Sequence, residues 1–138
     1  MAGASSDGHP VMAPAHPMWR FAAAAALLGG LAVAAGAFAA HGLKARLGPE
    51  QLAWWKTGAE YHLIHALALL ITPLHARGRV FKVAAIAFSI GIALFSGSLY
   101  VMALTDLRAL GAVTPFGGVA FLVGWGALAS GLYRSRAT

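Results

Sequence analysis

VAAIAFSIGIALFSGSLYVMALT, residues 83–105, decides the fold, because it contains no Asp, Glu, Lys or Arg from end to end. A helix crosses the roughly 30 Å hydrocarbon core of a bilayer with about 20 apolar residues, and this stretch is long enough. Lys82 and Asp106 bound it. On either side, residues 21–43 and 109–133 are equally free of charged side chains. Residues 61–76 (YHLIHALALLITPLHA) form a shorter uncharged run that carries His62, His65 and His75, with Glu60 at its edge. Polar groups are costly inside a membrane, so this second apolar segment is where function is to be sought.

The composition agrees. Apolar residues make up 59% of 138 positions and charged ones 10%, against roughly 25% charged in soluble domains. One domain is expected. The chain has no Cys, which excludes disulfides, thiolate catalysis and Cys-based zinc or iron–sulfur sites. Its net charge of +6 does not point to nucleic acid. The basic residues sit at the ends of apolar stretches, where anionic headgroups favour them, and no basic stripe with interleaved aromatics exists.

Residues 1–18, rich in Ala, Pro, Gly, Ser and His, predict a disordered tail. A first helix follows at about 19–40, with Trp19 and Arg20 as its anchor. Ala37-Phe38-Ala39 resembles a signal-peptide cleavage site, but the apolar run of about 20 residues exceeds the 7–15 of such a peptide. Gly48-Pro49-Glu50 reads as a helix start, followed by Trp54 and Trp55 at the water–lipid boundary. The second helix is expected at about 51–74, weakened near its end by Pro73. A tight basic turn follows at Ala76-Arg77-Gly78-Arg79. The third helix is expected at about 81–103. Thr114-Pro115 should start the fourth, 115–133, with the Thr114 hydroxyl as its cap. A short tail, 135–138, closes the chain. The predicted architecture is an all-α membrane protein: a four-helix transmembrane bundle, antiparallel and up-down.

Arg20, Arg77, Arg79, Lys82, Arg134 and Arg136 fall on one side of such a bundle and Lys44, Arg46, Lys56 and Arg108 on the other. The positive-inside rule then puts both termini in the cytoplasm. Helices in lipid associate through close backbone approach rather than hydrophobic burial. Stripes of small residues suited to that run along helix 1 (Ala22, Ala26, Gly29, Val33, Gly36, Ala40) and helix 4 (Ala120, Gly124, Ala127, Gly131). Helix 3 offers Ser89, Ala93, Ser96, Gly97 and Tyr100. They serve packing within the chain or association with another copy or a membrane complex.

On helix 2, His62, His65, Thr72 and His75 share roughly 140° of arc. Glu60 lies off that stripe, near water. An antiparallel bundle returns His41 to the same end, together with Lys44, Asp106 and Arg108. With Trp55 at the boundary, His65 lies about 15 Å deeper and needs a partner inside the bundle. His41, Glu60, His62, His65, Ser96 and Tyr100 form the candidate polar site. Three readings compete for it. One is a structural hydrogen bond from His65 to Ser96 or Tyr100. The second is an ion or proton relay through His62, His65 and Glu60 in a small oligomeric transporter or channel. The third is ligation of haem or metal by His41 with His62 or His65. No HExxH, nucleophile triad or phosphate loop is present, so no enzyme, cofactor or metal is assigned.

Three stretches carry a family resemblance: GAFAAHGLK (36–44), YHLIHALALL (61–70), and LFSGSLYVMALT (94–105) continued by GAVTPFGGVAFLVGW (111–125). Together they resemble the small bacterial inner-membrane proteins of domain of unknown function 423, whose eukaryotic relative is transmembrane protein 256. The resemblance covers about residues 19–133; the tail lies outside it, and Asp106 and Trp54-Trp55 depart from the pattern. It implies four transmembrane helices in the plasma membrane. It also implies a signature made of His41, His65, Phe95-Ser96-Gly97-Ser98 and Thr114-Pro115-Phe116-Gly117-Gly118, but no substrate or reaction. The expected function is that of a non-enzymatic membrane bundle that self-associates or docks on a membrane complex.

Overall fold

The computed structural model describes residues 19–72 and 78–135. The tail expected at 1–18, together with Pro73, His75, Arg77 and Arg136, lies outside them. Four long helices account for nearly all of the described chain: α1 (Trp19–Leu43), α2 (Pro49–Ile71), α3 (Arg79–Thr105) and α4 (Thr114–Arg134). No strand occurs among the described residues. α1, α3 and α4 are long and apolar enough to cross a membrane. α2 has the length but carries Lys56, Glu60 and the two histidines, which lower its apolarity.

The helix ends follow from local chemistry. Pro49 occupies the first turn of α2, where its missing N–H costs nothing, and the Gly48 N–H donates to Gln51 Oε1 at 3.1 Å. α3 ends at Asp106, which adopts φ 56° and ψ 21° and donates its N–H to the Met102 carbonyl. Asp is among the few side chains that tolerate this left-handed turn. A 3-10 turn, Arg108–Ala112, then leads into α4. Thr114 does not cap that helix. Its hydroxyl pairs with Ser98 Oγ at 2.8 Å, tying the start of α4 to the last third of α3.

α1 packs on α2, α2 on α3, and α3 on α4. The α3/α4 seam is built from aromatic rings over glycine. Gly131 meets Phe81, Gly124 meets Phe88, Gly91 meets Phe121 and Gly117 meets Phe95, so contacts run in opposite order along the two helices. The helix 4 stripe is therefore used within the chain. α2 is the central element, burying Trp55, Gly58, Ala59, His62, His65, Ala66, Ala68 and Leu69. Only 11% of the apolar stretch of α1 is buried, against 44% for α3. Its buried positions are Ala25, Ala32, Ala39 and Leu43, the first three recurring every seventh residue in a single line against α2.

One π turn, Ala39–Leu43, ends α1, and another, Ile92–Ser96, interrupts α3. Such turns insert an extra residue and re-aim the side chains beyond them. The one in α3 lies where Phe95 backs onto Gly117, joining the two signature segments. Trp54 and Trp55 part company. Trp54 lies under the Arg108 guanidinium, 5.4 Å from its ring centroid, whereas Trp55 is buried and donates to the Ala35 carbonyl at 2.9 Å.

Candidate functional site

Two histidines one turn apart on α2 are buried, and each faces a different neighbour. A step of three residues turns a helix by about 300°, so His62 and His65 diverge by about 60°. His62 points at α3, where its Nδ1 lies 3.2 Å from the Tyr100 hydroxyl. His65 points at α4, where its ring stacks on Phe121 with centroids 3.4 Å apart and planes 9° from parallel.

The hydrogen bonds of His65 fix its tautomer. Nδ1 lies 2.7 Å from the Tyr61 carbonyl, which can only accept, so Nδ1 carries the proton. Nε2 is then the bare nitrogen, and the Trp125 indole N–H donates to it at 3.2 Å. Both ring nitrogens of a neutral imidazole are satisfied. A second proton on Nε2 would face the indole donor and break that bond, which disfavours relay chemistry at this position. Tyr61 extends the assembly by stacking on Phe95 at 4.6 Å.

Sequence reasoning expected His65 to pair with Ser96 or Tyr100, and the structure places its partners elsewhere. Tyr100 serves His62, and Ser96 Oγ is buried with no hydrogen-bond partner among the described residues, as is His62 Nε2. Trp125 is the member that was missed. The signal for it was present, since an indole N–H within a membrane helix requires an acceptor. His41 is exposed on the π turn of α1, and among the described residues no hydrogen bond or ring contact joins it to His62 or His65. Glu60 is also exposed, on the flank of α2 turned towards α1. No group of three His, Asp or Glu among the described residues lies close enough to hold a metal ion.

At the same end of the bundle, Arg108 grips Glu50 with both terminal nitrogens, at 2.8 and 3.3 Å, and reaches Asp106 at 3.6 Å. These pairs are more than half exposed, where such bridges contribute about 0–1 kcal/mol. They position the α3–α4 connection over the start of α2 and supply little stability.

Residues 35–118, from the second half of α1 through the start of α4, match the family model described as a protein of unknown function, DUF423. The chain belongs to the DUF423 family. It is 43% identical over 115 residues to a UPF0382 membrane protein of Haemophilus influenzae, covering 81% of this chain and 92% of that protein. It is 42% identical over 113 residues to the UPF0382 inner membrane protein YgdD of Escherichia coli K12, covering 80% and 86%. The UPF0382 membrane protein YwdK of Bacillus subtilis is 43% identical over 85 residues, 58% of this chain and 68% of that one. No solved structure matches the chain. With membrane-protein relatives and three helices able to span a bilayer, this DUF423 member is an integral membrane protein. The family model runs across His41, His62, His65, Ser96 and Tyr100, and it ends before Trp125.

Proposed function

We propose that this DUF423 member is a non-enzymatic multi-pass bundle that works by association, presenting the N-terminal half of α1 to the same face of a second copy or to a helix of a membrane complex. One observation carries the reading. A Cβ on Gly29 or Gly30 would meet nothing within 4 Å, whereas on Gly91, Gly124 or Gly131 it would meet a phenylalanine ring at 3.0 Å or less. Gly91, Gly117, Gly124 and Gly131 are explained by contacts across the α3/α4 seam, whereas no described neighbour accounts for Gly29 and Gly30 on α1. Small residues let helix backbones approach closely in lipid, and on α1 Ala26 and Gly30 are exposed, with the half-buried Ala22 and Gly29 beside them.

The buried histidines support the same reading. His65 is used as a brace that pins α2 to α4 through Tyr61, Phe121 and Trp125, and His62 pins it to Tyr100. α2 crosses the membrane as the shielded member of the bundle, its polar groups turned towards its neighbours. An even number of crossings, with the greater share of Lys and Arg near the terminal side, keeps both termini in the cytoplasm. A fluorescent protein that matures only in the cytoplasm, fused after Thr138, is expected to fluoresce at full intensity. A dark fusion with active periplasmic alkaline phosphatase at the same point would reverse the orientation.

Association is tested by the mass of the intact protein in mild detergent, measured by light scattering. The wild type is expected to run as a dimer or in a stoichiometric complex. Gly30→Leu fills the docking face with a side chain that its own bundle has room for, and is expected to release monomers with unchanged thermal stability. Equal masses for the two proteins would rule the face out.

A further inference from the structure

A groove of about 680 Å³ runs between α1 and α2 at the other half of α1, and none of the described residues fills it. Val33, Gly36 and Ala40 line it from α1 and Leu63 from α2, while Lys44, Lys56 and Glu60 stand along its length. The volume lies within the roughly 300–1,000 Å³ range of small-molecule sites. A Cβ on Gly36 would meet nothing within 4 Å, so the glycine leaves space that no neighbouring side chain takes up.

Length and charge both select the occupant. From Ala32 to Lys44 the α1 wall is about 18 Å long at 1.5 Å per residue, close to the 15 Å or so of one leaflet and well short of a whole transmembrane helix. The wall ends where α1 ends and α2 begins, the level at which headgroups lie. Lys44 and Lys56 have no ion-pair partner among the described residues, and with Glu60 they leave one net positive charge, which a phosphodiester neutralises. Basic pockets between transmembrane helices hold lipid headgroups in this way. We infer that the groove is a binding site for a single anionic phospholipid, with an acyl chain against Val33, Gly36, Ala40 and Leu63 and its phosphate between Lys44 and Lys56. The site is separate from the docking face on Ala22, Ala26, Gly29 and Gly30, and a lipid held there would sit beside any partner on that face.

Native mass spectrometry of the intact protein, titrated with phosphatidylglycerol or phosphatidylcholine in detergent, tests the site. The wild type should take up one phosphatidylglycerol in preference to phosphatidylcholine. Lys44→Gln with Lys56→Gln should weaken phosphatidylglycerol about thirtyfold, at the usual contribution of a cation near a headgroup. Glu60→Gln should strengthen it about fivefold, an opposite sign that loss of structure would not produce. Gly36→Phe should block uptake with both lysines intact, and inorganic phosphate should not compete, since it lacks a chain. Equal uptake of the two lipids, or lysine and glutamate variants that match the wild type, would overturn the inference. A second protein subunit retained in the groove and displacing lipid would overturn it as well. None of those results requires Gly30→Leu to behave in any particular way.

Discussion

Gly124→Leu is expected to destabilise the bundle by about 3 kcal/mol or more. A Cβ at Gly124 would stand 2.6 Å from two carbons of the Phe88 ring, and Phe88 is fully buried, so the ring has nowhere to go. The helices would have to part, exposing the aromatic column of Phe81, Phe88 and Phe121. Gly126 supplies the control, because a side chain there meets nothing within 4 Å. Gly126→Leu should stay within about 0.5 kcal/mol of the wild type. Thermal unfolding in mild detergent, followed by the loss of the monodisperse peak on gel filtration, separates the two. If both glycines tolerated Leu equally, the aromatic-over-glycine seam would be wrong.

His65→Ala is expected to cost about 3 kcal/mol and to change no transport property. The substitution removes the stack on Phe121, releases the Tyr61 carbonyl to its helix and leaves the Trp125 N–H without an acceptor. His65→Phe should recover part of the loss, since it restores the stack and omits both hydrogen bonds. A double-mutant cycle with Trp125→Phe should then give a coupling of about 0.6 kcal/mol, the usual value for a hydrogen bond between membrane helices. A His65→Ala protein that was as stable as wild type, but lost proton or ion flux in proteoliposomes, would favour the relay instead.

The helices themselves were legible because charge is forbidden in long stretches. Residues 21–43, 83–105 and 109–133 each announce a span, and Lys82 and Asp106 mark the ends of one. The start of α2 at Pro49 was legible for a different reason, the fixed φ of proline. The rotation of each helix about its axis was harder to read. α1 is apolar all round, so its pattern carries no direction: the stripe Ala22–Ala26–Gly29–Val33 looked like a packing face, while the line buried on α2 is Ala25–Ala32–Ala39. On α4 the same kind of stripe did face inward, because the phenylalanines of α3 occupy the spaces its glycines leave.

For the candidate site, the identity of the polar residues was legible and their pairing was not. Histidine in an apolar run implies a partner, but the partner of His65 lies sixty residues away in sequence, and only the packing of α2 and α4 on α3 brings Trp125 to it. His41 and Glu60 were grouped with the buried histidines because they share one end of the bundle. A common level in the membrane does not imply a common face, and both lie exposed. The groove was not legible, since Lys44 and Lys56 come from different helices and line one groove only when α1 and α2 pack.

The absence of cysteine makes the central claim directly testable in the native membrane, because a single introduced thiol is the only one in the chain. With Gly30→Cys carrying a photoactivated cross-linker, illumination of intact membranes should give one discrete heavier species, either of twice the chain's mass or of a fixed heteromeric mass. The same label on Gly126→Cys should give none. If the Gly30→Cys protein remained monomer-sized under conditions where the label had fully reacted, α1 would be a lipid-facing helix and the proposal of a docking bundle would be contradicted.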